Sequence, residues 1–235
     1  MILQKSDDLD AIREGGKKLG GILGALAKAV KPGIATRDLD ELAERLIVDA
    51  GGVPAFKGYR THGTAKAYPA TLCISVNDEV VHGIPSDRIL KEGDIVGLDI
   101  GMRYKGYFTD TAMTVPVGVV SKEHRRLIEV TSRALDIAIA QVRAGVSVGD
   151  IGEAVEEYVT KENFGVVREL VGHGVGRAVH EDPEIPNWGK AGQGIKLIEG
   201  QIVALEPMVT EGVPGVKASR DGWVWSTRDG KSAAH

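Results

Sequence analysis

Two stretches of this chain are versions of one another. "LKEGDIVGLDI", Leu90 to Ile100, returns as "LIEGQIVALEP", Leu197 to Pro207. Leu, Glu, Gly, Ile, Val and Leu are identical, and an acid stands at the tenth position of each copy, Asp99 and Glu206. Two further pairs keep the same order: "PGIATRDLDELAERLI" (Pro32 to Ile47) with "AGVSVGDIGEAVEEYV" (Ala144 to Val159), and "VHGIP" (Val81 to Pro85) with "VHEDP" (Val179 to Pro183). Three ordered matches point to a duplicated architecture, which narrows the possible folds more than any single motif does.

The local patterns agree with such a plan. Residues from about Asp7 to Val30 carry apolar side chains at helical spacing, and Lys31-Pro32-Gly33 stops them. Thr36 reads as the N-cap of a helix over Asp38 to Ala50, with Leu39, Leu42, Ala43, Leu46 and Ile47 as its apolar stripe. Glu123 to Val142 and Asp150 to Lys161 repeat the pair. Strands are expected at "TLCISV", "DIVGLDIGMRY", "GYFTDTAMTVPV", "IVALEPMV" and "GWVWST". Helix pairs alternating with antiparallel hairpins give an α+β fold, its helices packed on one face of a curved sheet. Residues 1–235 then form one domain with half-repeats at about 1–118 and 119–235, and a cleft between the halves is a natural ligand site.

Composition excludes several classes. A net charge of -4 gives no electrostatic reason to expect DNA. The N-terminal "MILQKSDDLD" places acids where a signal peptide needs an apolar run, and no long apolar span follows, so no membrane partner is expected. Cys73 is the only cysteine, so no internal disulfide can form and a reducing, cytoplasmic setting fits. Nothing in the sequence demands an oligomer, and a monomer is expected.

The acids carry the chemistry. Between Asp99 and Asp110 lies "IGMRYKGYFT", a hairpin turning near Tyr104 to Gly106. A two-residue loop centred on Tyr104-Lys105 or Lys105-Gly106 puts both acids on one face, directly opposite or one diagonal step apart; a three-residue loop would not. Like charges so close need a shared proton, a basic side chain or a metal ion. The repeat brings Glu206 as a third acid from across the cleft. "VGHGVGR" offers His173, flanked by glycines that let backbone and ligand approach closely. Three carboxylates and an imidazole suit a pair of divalent ions such as Mn, Fe, Co or Zn, which can acidify a bridging water and polarise a carbonyl. Repeat symmetry also sets His82 and His180 at equivalent positions, as paired groups on opposite walls of a cleft.

"CISVNDEVVHGIP", "GDIVGLDIG…GYFTDTAMTVPVG", "VREL-VGHGVGR-AVHEDP" and "ALEPMVTEG…DGW" together resemble the bacterial type I methionine aminopeptidases, over nearly the whole chain. The resemblance implies the pita-bread fold and removal of N-terminal Met from nascent polypeptides near the ribosome by a metal-activated water. On it, Asp99, Asp110, His173 and Glu206 match metal ligands, two ions per chain. It implies that His82 contacts substrate and that His180 stabilises the tetrahedral intermediate; in an aminopeptidase of this kind Glu206 is a candidate for proton relay. It also implies a methionine pocket of Phe56, Tyr59, Tyr68, Cys73 and Trp223, apolar and polarisable as a thioether requires. "RTHGTAKA", Arg60 to Ala67, looks like an insertion beside that pocket.

One departure stands out. The family has a fifth ligand, a bridging Glu on a last strand. Here the turn at Arg228 to Lys231 leads into "SAAH", the start of a returning strand, and the sequence stops. The expectation is a second half without its last strand, an exposed sheet edge, and one ion held by Asp110, His173 and Glu206 with the second bound weakly. Two alternatives to the aminopeptidase stay open: a proline-specific peptidase of the same fold, and a catalytically impaired pita-bread module that only binds peptides.

Overall fold

A computed structural model describes residues 2–3, 5–61 and 66–235. His62, inside the 60–67 insertion, lies outside them. The first helix, α1 (Ser6–Ala29), buries Leu19, Ile22, Leu23 and Leu26. The second, α2 (Thr36–Asp49), buries Leu39, Ala43 and Ile47, while Leu42 and Leu46 pack half-buried beside them. Thr36 is not its cap. Ala35 holds that position without a side-chain hydrogen bond, and the Thr36 hydroxyl donates to the Ser86 carbonyl at 3.0 Å and accepts from the Ser86 N–H at 2.9 Å. A partner fifty residues away wins over the local capping role.

Strands β1 (Val53–Pro54), β2 (Leu72–Val76), β3 (Glu79–Val81), β4 (Ile95–Tyr104) and β5 (Tyr107–Pro116) follow. The long β4 is central: β5 pairs with it over its full length on one side, and β2 and β1 pair with it on the other, all antiparallel. Strand alternation sorts its side chains. Val96, Leu98, Ile100 and Met102 are fully buried in one cluster with α1 and α2, which leaves Gly97, Asp99 and Gly101 on the other face.

Next come α3 (Lys122–Gln141) and α4 (Val148–Lys161), each with a serine cap. Ser121 accepts from the His124 N–H, and Ser147 forms a reciprocal capping box with Asp150. Their core gathers Leu127, Val130, Ile151, Val155 and Val159 with Ile185, Leu197 and Val209. The later strands are short: β6 (Gly165–Val166), β7 (Gly172–Gly174), β8 (Glu181–Ile185), β9 (Val203–Ala204), β10 (Val209–Thr210), β11 (Val216–Ala218), β12 (Trp225–Thr227) and β13 (Ala233–Ala234). They form three small sheets, ordered β13-β10-β6, β11-β12-β3 and β8-β7-β9. The strand expected over "IVALEPMV" is thus two strands, β9 and β10, interrupted around Pro207, whose nitrogen carries no hydrogen for a ladder bond. "SAAH" does form a strand, with Ala233 and Ala234 opposite Thr210 and Val209.

The duplicated segments repeat their contacts. The Gly33 N–H donates to the Leu90 carbonyl and the Gly145 N–H to that of Leu197, both at 2.8 Å. Isolated bridges join Ala35 to Ile89 and Ser147 to Lys196, at corresponding points of the two copies. Gly93 and Gly200, equivalent in the opening motif, both take positive φ, +91° and +80°, a backbone region that glycine enters without steric cost.

Candidate metal centre

The β4–β5 hairpin turns on Lys105 and Gly106, with φ of 49° and 88°. Two positive angles in a two-residue loop match the right-handed twist of the flanking strands. Asp99 lies opposite Ala112, and Gly101 opposite Asp110. The acids are therefore one diagonal step apart on the face turned away from α1 and α2. Of the loop centres the sequence leaves open, Lys105-Gly106 is the one adopted.

His173 sits in the middle of β7, between Gly172 and Gly174. A Cβ on Gly172 would fall 2.4 Å from the Ala204 carbonyl oxygen, and one on Gly174 would fall 2.3 Å from that of Asp182. The flanking glycines thus let three backbone segments close around the imidazole. Ala204 of β9 pairs directly with His173, which carries Glu206 to the same end of the sheet. Asn187 donates its side-chain N–H to the Glu206 carbonyl at 2.7 Å and holds this interrupted segment in place.

The groups from the two halves meet. His173 Nε2 is 2.9 Å from Glu206 Oε1 and 4.0 Å from Asp110 Oδ2. Ligand atoms of Asp110, His173 and Glu206 all lie within 4.8 Å of one another. Asp99 and His235 border the same cluster, with His235 Nε2 3.8 Å from Glu206 Oε2.

Electrostatics shows how much positive charge the cluster demands. Burial, then the charges of Asp110 and Glu206, push the Asp99 carboxyl well above its ordinary range. Burial and the Glu206 charge raise Asp110 to about 7. Burial alone would lower His173, but its hydrogen bond to Glu206 and that group's charge lift it to about 9. Glu206 is pulled down in spite of burial by the same bond. Protons here do work that a cation does better. His173 is also set up as a ligand: Nδ1 faces the Gly174 carbonyl at 2.8 Å, so with the proton on Nδ1 the Nε2 lone pair faces the acids. These residues fit a divalent ion.

A cavity opens above the cluster. Phe56, Tyr59, Tyr68, Cys73, His82, His180 and Trp223 line it together with Asp99, Asp110, His173 and Glu206. Tyr68 donates to the Gly83 carbonyl at 2.8 Å and meets Trp223 edge-on, with ring centroids 5.2 Å apart. Burial raises its phenol above the ordinary value, and the Cys73 thiol is raised by burial and by Asp99. His82 sits at φ +58°, a strained backbone for a residue with a Cβ, and its ring meets that of Trp223 edge-on with centroids 6.2 Å apart. His180 Nδ1 is 2.6 Å from the Tyr59 hydroxyl, and its ring packs on His173 with centroids 4.3 Å apart. Burial and the neighbouring His173 lower His180 to about 4.

All the described site residues singled out in the sequence therefore lie in one place, and His62 lies outside the described residues. Thr61, from the 60–67 insertion, lines the cavity as that segment's place beside the pocket implied. Two neighbours were not foreseen. Asn187 belongs to no motif. His235 comes in because Thr114 on β5 both donates to its carbonyl and accepts from its N–H, each at 2.9 Å. A groove of about 560 Å³ beside His235, between β5, α3 and residues 203–207, reaches Asp99, Asp110 and Glu206 from the other side.

Carboxylates and an imidazole gathered beneath an aromatic cleft, on paired helix–sheet units, define a metal-dependent hydrolase. A family model described as Metallopeptidase family M24 matches residues 10–228, and the chain belongs to that family. It is 43% identical over 236 residues to methionine aminopeptidase 1 of Bacillus subtilis (strain 168), covering 100% of this chain and 93% of that one. It is similar to the crystal structure of a methionine aminopeptidase from Thermotoga maritima, with a TM-score of 0.94 and 38% identity over 100% of this chain and 92% of that one. The prolidase of Pyrococcus horikoshii OT3 shares the pita-bread fold, with a TM-score of 0.70 and 20% identity over 88% of this chain and 56% of that one.

Proposed function

We propose that the protein is a metal-dependent methionine aminopeptidase, removing N-terminal Met from nascent polypeptides. The observation that carries the reading is the convergence of Asp110, His173 and Glu206, with Asp99 beside them, at the floor of the aromatic cavity. The relatives named methionine aminopeptidase at both sequence and structure level support it. We read the chain as one catalytic domain of two pseudo-symmetric halves, about 1–118 and 119–235. The lone buried thiol of Cys73 fits a cytoplasmic enzyme, and we take it to act as a monomer near the ribosome.

In this reading Phe56, Tyr59, Tyr68, Cys73 and Trp223 hold the methionine side chain, whose sulfur gains from aromatic edges. Tyr68 and Trp223 are fixed by their own hydrogen bonds, so the pocket is formed before substrate arrives. His82 contacts the bound peptide, and His180 donates to the carbonyl oxygen as charge develops there. Glu206, between His173 and His235, takes and returns a proton in this reading. Divalent ions, Mn, Fe, Co or Zn, would supply Lewis acidity and lower the pKa of a bound water. Asp110, His173 and Glu206 would hold the tighter ion, and Asp99 would help hold a second, weaker one.

The test is cleavage of a Met-Ala-Ser peptide against an X-Pro peptide, with added Mn or Co and the bound metal counted. Release of Met with one tightly held ion per chain is the expected result. Preference for X-Pro would turn the reading to a proline-specific peptidase. Binding of peptide without cleavage would turn it to a binding module.

A further inference from the structure

The contact between Tyr59 and His180 does more than close a pocket wall. Tyr59 Oη lies 2.6 Å from His180 Nδ1, and the two rings are tilted at 50° with centroids 5.1 Å apart. No other hydrogen bond reaches the His180 ring among the described residues. The ring borders the cavity that Asp99, Asp110 and Glu206 floor. Its tautomer, and hence what Nε2 offers to that cavity, is therefore decided at Nδ1.

Two arrangements are possible at 2.6 Å. If Nδ1 carries the proton and donates to the phenol oxygen, the Tyr59 O–H turns away to solvent and Nε2 becomes a bare lone pair facing the carboxylates. If the phenol donates, its proton is used and the ring proton moves to Nε2. The second arrangement uses the one donor of the phenol and the one acceptor of the ring on each other. It also directs an N–H, rather than a lone pair, at a cavity lined by carboxylates. Burial raises the Tyr59 phenol, in keeping with a hydroxyl that retains its proton.

We propose that Tyr59 is a positioning residue: its hydroxyl donates to His180 Nδ1, fixes the ring against the cavity wall, and keeps the proton on Nε2 for the carbonyl oxygen of the scissile bond. This rests on the aminopeptidase reading for the identity of that carbonyl, but the tautomer itself does not. The ring of Tyr59 also walls the side-chain pocket, so removing only the oxygen separates its two roles. The logic is that of a residue orienting a catalytic imidazole from behind without meeting substrate through the bond in question.

Tyr59→Phe keeps the aromatic wall. With a Met-Ala-Ser peptide and saturating Mn, kcat should fall about tenfold, the lower end of what loss of an orienting partner costs, with KM little changed. His180→Ala should lower kcat at least as far, and Tyr59→Phe added to it should cost nothing more. Long-range nitrogen–proton NMR of the metal-free protein should show His180 protonated at Nε2 in the wild type and a mixture of tautomers in Tyr59→Phe. A wild-type spectrum with the proton on Nδ1 would overturn the proposal, as would full additivity of the two substitutions. Should the wild type cleave no peptide at all, the aminopeptidase reading falls, and the spectra still decide what Tyr59 does to His180.

Discussion

The two copies of the repeated motif present their acids by different means. The first copy is a ten-residue strand, β4, paired along both sides, and its acid Asp99 shares a rigid ladder with Asp110. The second copy yields only the two residues of β9 before Pro207 interrupts it. Glu206 is held there by single contacts, the Asn187 side chain on its carbonyl and His173 and His235 about its carboxylate. A ladder fixes two like charges so that neither can retreat, whereas an acid outside a strand can settle against an imidazole. The first copy therefore stores repulsion and the second relieves it. That division suits a centre that must both attract cations and handle protons.

The strongest break of this comparison is at the ligands. Glu206→Gln removes a charge from the three-residue cluster and should weaken the tight ion by well over about 100-fold, beyond the range seen for outer-shell partners. Asp99→Asn, outside that cluster, should leave the tight ion in place and reduce only further metal uptake. Calorimetric titration with Mn checks both. Equal losses from the two substitutions would mean that the copies share one site rather than dividing the work.

Second in size is a pH effect on the metal-free protein. His173 has a folded value of about 9 against an ordinary 6.5, so its contribution to stability is complete below 6.5 and is lost as pH rises through 9. Asp110, raised from 3.8 to about 7, loses its contribution earlier, as pH rises through about 7. His180 and His82 are shifted downward and titrate below this window. The metal-free protein should lose roughly 2 kcal/mol between pH 6.5 and 9, as the contact of the His173 imidazolium with Glu206 is discharged. Saturating Mn should reverse the trend, because the bound form needs the imidazole neutral. Melting curves that stay flat or rise with pH in the absence of metal would contradict the account of the second copy.

The paired histidines give a smaller contrast. His180→Ala should lower turnover of a Met-Ala-Ser peptide about tenfold or more, from loss of one donor to the developing oxyanion. His82→Ala should act mainly on KM, since its ring packs edge-on against Trp223 in the pocket wall. Steady-state kinetics separates the two, and unchanged turnover in His180→Ala would remove it from the mechanism.

These contrasts also show what a sequence displays and what it conceals. Asp99 and Asp110 were legible because strand parity and a Lys-Gly turn are local facts, and the hairpin obeyed them. The helix pairs were legible from spacing, to within two residues at each end. The break in the second copy was signalled by Pro207 but masked by the similarity of the motif around it. Thr36 misled because its hydroxyl found Ser86, a partner that no local pattern announces. His235 and Asn187 were missed for the same reason: one is held by Thr114, the other reaches a backbone carbonyl, and neither bond leaves a trace in spacing or residue type.

The caps test the comparison most finely. Ser147 caps α4 through a reciprocal box with Asp150, while its counterpart Ala35 leaves α2 uncapped, although Asp38 stands where Asp150 does. Both cap residues are almost fully buried, and both bridge to the equivalent point on the returning chain. Ser147→Ala should therefore cost about 1 kcal/mol. Ala35→Ser installs the second copy's solution in the first and should gain about half as much, as Asp38 gives up its 3.9 Å contact with the adjacent Arg37. Thermal unfolding of the two variants decides it. A gain at Ala35 would show that the copies remain interchangeable at their helix starts even where their acid-bearing strands have diverged. A loss there would place the divergence earlier in each copy, at the backbone that positions the cap.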